Sequence, residues 1–244
     1  MTPSPFPATS PLTISPLAPS RQLILVTAPD WTSTTAELQR FERESPAAEW
    51  RRVGASIPVS LGKSGLAWGS GLHREVSASG PTKKEGDGCA PAGIFALTAL
   101  FGYAGPASDL AHSARLPYYA ATPDLKAIDD PLSRYYNQLV DQRCVDAIDW
   151  QSHEEMWRDD ARYAIGAVVA HNSAPPLPGA GSCIFLHVWH SAGMPTAGCT
   201  ASSLADMTEI CAWLDGAAAP LLVQLPQAEY LRIKDAWALP SLAG

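Results

Sequence analysis

The sequence predicts a mainly β domain with a few helices, of the α+β class. Short runs of β-branched, aromatic and other apolar residues recur along the chain, and glycines and prolines separate them. The two best strand candidates are "YAIGAVVAHN" and "CIFLHVWH", joined by the loop "SAPPLPGAGS". With 244 residues, of which 46% are hydrophobic and 17% charged, the chain can bury one sizeable core. We therefore expect a single domain over residues 21–244.

The first half of the chain is predicted to form a tail, then strands and one helix. Residues 1–20 are rich in Pro, Ser and Thr without apolar periodicity, which predicts a flexible tail. "QLILVT" predicts a buried strand, and "TTAELQRFERE" predicts a helix because Thr34 and Glu37 have capping-box spacing. Residues 51–80 contain short β-type runs at hairpin distances, and "GIFALTALFGY" predicts a strand pair or one strand that runs into a turn.

The second half begins with a long excursion at about residues 105–160, in which periodicity fades and aromatic and polar residues accumulate. We expect a helical or irregular insertion there, either a lid over a bound peptide or a packing subdomain. Within it, Ser152 and Glu155 have the spacing of a helix start. Ser203 and Asp206 predict the cap of a later helix, and "PLLVQL" predicts the last buried strand. The apolar face of that later helix is predicted to consist of Leu204, Met207, Ile210 and Leu214.

Charge and composition exclude several classes of function. The net charge of -7 and the pI near 5.3 disfavour binding to phosphate backbones, so nucleic acid is not an expected partner. There is no run of eighteen apolar residues, so we expect no transmembrane segment. The N-terminus does not resemble a signal peptide. We expect a cytoplasmic protein if Met1 is the natural start, and a periplasmic or cell-envelope protein if an export signal lies outside this chain.

The stretch "CIFLHVWHSAGMPTAGCTASS" carries the strongest chemical signal. In a strand, alternation places Phe185, His187 and Trp189 on one face and His190 on the other. Cys199 follows in the small-residue turn "TAGCT", shortly before the predicted helix. The helix N-terminus and a neighbouring imidazole both stabilise a thiolate, which is how cysteine nucleophiles are formed. In the alternative interpretation, the cysteine is a buried apolar residue and the histidine is a hydrogen-bonded core residue.

Two other site types are disfavoured by spacing. A zinc site would use His187 and His190 with Cys183 or Cys199, but a regular set of three or four ligands is not evident, so we expect no metal. "KKEGDGCAPAG" lacks the Gly-Lys-Ser/Thr ending of a phosphate loop and carries acidic residues, which predicts a turn. We therefore expect no cofactor.

Taken together, these segments resemble the YkuD-type L,D-transpeptidases, which are cysteine enzymes of bacterial peptidoglycan. In that family a segment like "KKEGDGCAPAGIF" precedes a strand. A strand-borne histidine is then followed by a Ser/Thr-x-Gly-Cys turn, here "FLHVWH" and "PTAGCTAS". The resemblance runs from about residue 51 to residue 226 and is interrupted by the 105–160 region. It implies a YkuD-like β-sandwich catalytic fold.

The resemblance also implies roles for individual residues. Cys199 matches the nucleophile and His187 matches the base, whose orienting partner we expect to be a backbone carbonyl. Thr196 and Gly198 match the first and third positions of the motif, and the N–H groups of Gly198 and Cys199 are natural oxyanion donors in such a turn.

The chain departs from the family pattern at two positions. Ala197 stands where the family has a histidine, and Val188 stands where a glycine usually follows the base. His190 is a partial replacement for the missing histidine, although strand alternation predicts that it faces away.

The implied substrates are peptidoglycan stem peptides or muropeptides. Cys199 would attack the carbonyl at the L-centre of diaminopimelate in a tetrapeptide stem, expel D-alanine and leave a thioester. An amine would resolve the thioester in a transpeptidase, and water would resolve it in an L,D-carboxypeptidase. A third alternative is a non-catalytic peptidoglycan-binding relative, against which the presence of both Cys199 and His187 argues.

Overall fold

The computed structural model describes residues 15–73, 80–173 and 175–242, and in these ranges it is mainly β with three α-helices. This confirms the predicted α+β class. The strands are β1 (Gln22–Ala28), β2 (Thr35–Glu42), β3 (Arg51–Ser60), β4 (Leu66–Trp68), β5 (Ala90–Gly102), β6 (Tyr118–Ala120), β7 (Leu125–Ala127), β8 (Leu139–Asp141), β9 (Glu154–Glu155), β10 (Ile165–Val169), β11 (Phe185–Val188), β12 (Thr200–Ser202) and β13 (Leu221–Pro226). The helices are α1 (Asp109–Ser113), α2 (Leu204–Trp213) and α3 (Gln227–Trp237), and short 3-10 turns lie at Gln142–Cys144, Ala161–Tyr163 and Gly216–Ala218.

Eight of the strands close into a β-barrel in the order β5, β10, β11, β12, β3, β2, β1, β13, and β13 returns to β5. The long strand β5 closes the ring because residues 93–96 pair with β13 and residues 97–102 pair with β10. The β1–β13 and β11–β12 pairs are parallel, and the other neighbours in the ring are antiparallel. The β-sandwich that the family resemblance implies is therefore not confirmed.

The barrel interior forms the main core, and α2 packs against it. Alternate residues of the barrel strands point inward, as expected for β-structure. These inward residues include Ile24, Val26, Leu38, Ile57, Val59, Leu97, Ile165, Leu186 and Leu222. Met207, Ile210 and Leu214 of α2 join the same cluster, as predicted, whereas Leu204 is 48% exposed. The predicted cap of α2 is confirmed, because the Asp206 N–H donates to the Ser203 hydroxyl at 3.1 Å.

A second core lies on the outer surface of the barrel, beneath α3. Tyr230 and Ile233 of this helix pack on outward residues of β1 and β13, and Leu17 is buried in the same cluster. Residues 15–20 therefore pack against the domain and are not part of a flexible tail. The rest of the predicted tail, residues 1–14, lies outside the described residues. No helix among the described residues is long and apolar enough to cross a membrane.

The 105–160 region covers another part of the outer barrel surface. It contains α1, β6 and a small sheet in the order β8, β7, β9. Leu125 and Met156 from this region pack with Phe101 and Phe185 of the barrel, and Cys199 belongs to the same cluster. The insertion thus lies over the outer face of β11, next to the motif residues.

Two predicted helices are wrong. "TTAELQRFERE" forms β2, in which Ala36, Leu38 and Arg40 alternate inward while the strand pairs with both β1 and β3. The predicted helix start at Ser152 and Glu155 is instead the two-residue strand β9, paired with β7. Sheet pairing outweighs local capping patterns of this kind.

The predicted strands "QLILVT", "YAIGAVVAHN", "CIFLHVWH" and "PLLVQL" are confirmed, and "GIFALTALFGY" is one strand. Residues 74–79 of the predicted hairpin region lie outside the described residues.

The fully buried Gln224 supports a prediction about the barrel. Its amide accepts a hydrogen bond from the Thr200 hydroxyl at 2.7 Å and donates to the Pro91 carbonyl at 2.9 Å, which links β13 to β12 and β5. We predict that Gln224→Ala lowers the free energy of unfolding by about 3 kcal/mol, because two buried polar groups lose their partner. Urea unfolding measures this, with the exposed Gln151→Ala as the control. A loss below about 1 kcal/mol would contradict the prediction.

Candidate active site

The parallel pairing of β11 and β12 brings the two central motif residues onto one face. His187 lies opposite Ala201, and the N–H of Phe185 donates to the Cys199 Sγ at 3.3 Å. Leu186 packs in the barrel interior, so its neighbours Phe185 and His187 point to the outer face. The predicted alternation along this strand is therefore confirmed for residues 185–188, and His187 and Cys199 lie on the same side of the sheet.

A cavity of about 440 Å³, which we call the cysteine cavity, lies between this face, the insertion and the 189–199 loop. Its size suits a peptide-sized or smaller ligand. Four of the predicted site residues line it, namely His187, His190, Thr196 and Cys199. The structure thus brings the motif residues together around one opening.

Thr196 shapes the turn that presents Cys199. Its hydroxyl accepts a hydrogen bond from the Gly198 N–H at 3.1 Å and donates to the Cys199 carbonyl at 2.6 Å. Gly198 has φ of +151°, and a Cβ there would lie 3.1 Å from the Cys89 carbonyl oxygen, so glycine suits this position. Because the Gly198 N–H is bound to Thr196, it is not free to bind an oxyanion, contrary to the prediction.

The Cys199 thiol is held in its protonated form. It is 7% exposed, and its Sγ lies 3.6 Å from the Cys183 carbonyl oxygen, to which it donates. Burial raises the pKa of Cys199 to about 12, and the Glu154 carboxylate acts in the same direction. The three residues of β12 and the N-cap Ser203 lie between Cys199 and α2, so Cys199 is not itself part of the N-terminus of that helix.

His187 is also held neutral. Its Nδ1 donates to the Val188 carbonyl oxygen at 2.8 Å, which confirms the expected backbone orienter and leaves Nε2 with the lone pair in that tautomer. Burial lowers the pKa of His187 to about 4, although the Val188 and Arg162 backbone carbonyls partly oppose this shift. The Tyr163 ring stands edge-on to the imidazole, with the ring centroids 5.3 Å apart.

The resting pair is therefore thiol and imidazole, not thiolate and imidazolium. No hydrogen bond joins the side chains of Cys199 and His187 in the part of the chain that the structure describes. All five cysteines are free thiols. Because both groups are neutral at pH 7, Cys199 must lose its proton before or during any attack by its sulfur.

His190 lies at the exposed rim of the cysteine cavity. Alternation predicted that it faces away, but β11 ends at Val188 and the rule does not extend to residue 190. The structure therefore supports His190 as a residue of the site.

Sequence reasoning missed the wall that the insertion contributes. Glu154, Arg158, Arg162 and Tyr163 line the cysteine cavity. The Tyr163 hydroxyl donates to the Glu154 Oε2 at 2.5 Å, and burial raises the pKa of Glu154. The only sequence signal was the density of acidic, basic and aromatic residues in "SHEEMWRDDARY", which no spacing rule connects to Cys199.

Comparison with known proteins identifies no relative: no family model, no curated protein and no solved structure matches the chain. Across residues 15–73, 80–173 and 175–242, no group of three or more His, Cys, Asp or Glu side chains could hold a metal ion. The chemistry of the cysteine cavity is therefore the basis for a functional assignment.

The raised pKa of Cys199 predicts how the thiol reacts with iodoacetamide. With a pKa of about 12, only roughly one thiol in 10⁵ is ionised at pH 7, and this fraction rises about tenfold per pH unit. We expect the alkylation rate of Cys199 to rise steadily from pH 6 to pH 9 without a plateau, as measured by peptide mass spectrometry. The exposed Cys144 serves as the internal control. A plateau in the Cys199 rate below pH 8 would indicate a resting thiolate–imidazolium pair.

Proposed function

We propose that this protein is a cysteine-dependent acyltransferase of the YkuD L,D-transpeptidase type, acting on peptidoglycan tetrapeptide stems. One observation carries the proposal: the Cys199 thiol and the His187 imidazole lie on the same face of two paired strands and line one cavity. The Thr-x-Gly-Cys turn, held by the Thr196 hydroxyl, supports it. This function implies work in the cell envelope, or in the cytoplasm if the substrate is a recycled muropeptide.

In the proposed reaction, His187 accepts the thiol proton while the Cys199 Sγ attacks the carbonyl carbon at the L-centre of diaminopimelate. The tetrahedral intermediate collapses as the carbon–nitrogen bond breaks, and the protonated His187 gives its proton to the departing amino group of D-alanine. A thioester remains on Cys199. An amine or a water molecule then attacks the thioester and restores the thiol. The N–H of Cys199 is the remaining oxyanion donor of the predicted pair.

The pKa values of Cys199 and His187 set the free-energy cost of moving the proton from the thiol to the imidazole. The gap between about 12 for Cys199 and about 4 for His187 corresponds to on the order of 10 kcal/mol for the proton transfer. Attraction between the two charges formed offsets a few kcal/mol of this. Proton transfer in concert with attack on a bound carbonyl lowers this cost, because the free thiolate–imidazolium pair then need not form first.

A non-catalytic peptidoglycan-binding relative is the second candidate. The observation that favours it is the neutral resting pair without a hydrogen bond between its members. In that case the cysteine cavity would bind the stem peptide and release it unchanged.

A carbapenem distinguishes the candidates, because it acylates a competent cysteine nucleophile. We expect intact-protein mass spectrometry to show one adduct on the wild-type protein, none on Cys199→Ala, and an unchanged adduct on the control Cys144→Ala. A tetrapeptide muropeptide should release D-alanine, and the product mass with and without an amine acceptor separates transpeptidation from hydrolysis. No adduct and no D-alanine from folded, reduced protein would favour the binding role.

A further inference from the structure

Two arginines on the insertion wall of the cysteine cavity differ in how firmly they are held. Arg162 donates to the Asp160 Oδ2 through both Nε and NH2, at 2.9 and 2.6 Å. The only ion pair of Arg158 with the described residues is a single contact of 3.9 Å with the same oxygen. Asp160 therefore neutralises Arg162 and leaves Arg158 weakly paired.

The Arg158 side chain has a defined position, but its guanidinium lacks hydrogen-bond partners in the part of the chain that the structure describes. Its guanidinium lies over the Tyr163 ring, 5.3 Å from the centroid, which fixes its location next to the motif residues. Its Nε is buried and makes no hydrogen bond with the described residues, while 28% of the side chain is exposed. A buried donor without a partner requires an explanation, and the exposed part of the same guanidinium is available to a ligand in the cysteine cavity.

Glu154, the acidic residue of the same wall, is not a hydrogen-bond partner of the Arg158 guanidinium. The Glu154 carboxyl accepts a hydrogen bond from Tyr163 and makes no direct ion pair with Arg158, and the two charges attract each other only at longer range. Arg158 thus adds an incompletely paired guanidinium to the cavity that Cys199 and His187 also line. Guanidinium groups bind carboxylates with two parallel hydrogen bonds.

We propose that Arg158 binds a free carboxylate of the substrate next to the scissile bond and so selects stem peptides that carry it. This inference rests on the proposed function for the identity of the substrate. Of the free carboxylates of a tetrapeptide stem, two belong to the residues joined by the scissile bond: that of the terminal D-alanine and that at the D-centre of diaminopimelate. The role is one of specificity, because Arg158 would contact the substrate without taking part in proton transfer.

Binding to the inactive Cys199→Ala protein tests this assignment independently of catalysis. Three synthetic peptides are compared by calorimetry: the tetrapeptide acid, its D-alaninamide, and a form with lysine in place of diaminopimelate. We expect the acid to bind at least tenfold more tightly than the form that lacks the recognised carboxylate. Arg158→Gln in the same background should reduce this ratio to within twofold, and Arg158→Lys should retain part of it.

Arg143→Gln is the matched control, because it removes a cationic group of the insertion that Asp124 and Asp141 already neutralise and that does not line the cysteine cavity. We expect the binding ratio to persist in this variant. Weaker, Arg158-independent binding of the D-alaninamide would identify the carboxylate of the terminal D-alanine as the group that Arg158 binds. The same result for the lysine peptide would identify the carboxylate at the D-centre of diaminopimelate. Equal binding of all three peptides, a preference that survives Arg158→Gln, or no binding at all would overturn the inference. Failure of the proposed catalysis is distinguishable, since it leaves the binding preference intact and abolishes only the carbapenem adduct and D-alanine release.

Discussion

The parallel pairing of β11 with β12 is the constraint on which the candidate site depends. It places the outward side chains of both strands on one surface, so that a histidine in the first strand and a cysteine just before the second share a cavity. The hydrogen bond from the Phe185 N–H to the Cys199 Sγ extends this pairing by one residue. Gln224 holds β12 from the inside of the barrel. A shift of register by one residue would turn His187 into the core.

Burial fixes the positions of Cys199 and His187 and also keeps both side chains uncharged. The insertion covers the outer face of β11 and leaves His187 only 6% exposed and Cys199 only 7% exposed. In this low-dielectric setting the neutral forms of both groups are favoured. The arrangement thus limits the reactivity of the Cys199 thiol, because its thiolate form is disfavoured. Glu154 reinforces the effect on the thiol, because a nearby carboxylate opposes a thiolate.

Local sequence patterns predicted the barrel strands β1, β5, β10, β11 and β13 and the motif, but they predicted a helix where the chain forms the barrel strand β2. They also did not predict the elements that depend on distant packing. "CIFLHVWH" and "TAGCT" are near each other in sequence. Strand alternation predicted the face of His187, and the family resemblance paired this residue with Cys199. The α3 helix was missed because Pro226 precedes it without a side-chain cap, although Tyr230 and Ile233 have helical spacing. Arg158 and Glu154 come from an insertion more than thirty residues before Cys199, and only tertiary packing brings them to the cavity.

A crystal structure of the protein after reaction with a carbapenem is the most direct test of the central claim, that the shared face of β11 and β12 carries the reacting groups. The account predicts a thioester at the Cys199 Sγ, with the His187 imidazole next to the sulfur and the acyl group in the cysteine cavity. A bound drug attached elsewhere, or an acylated Cys199 from which His187 is turned away by an altered strand register, would contradict it.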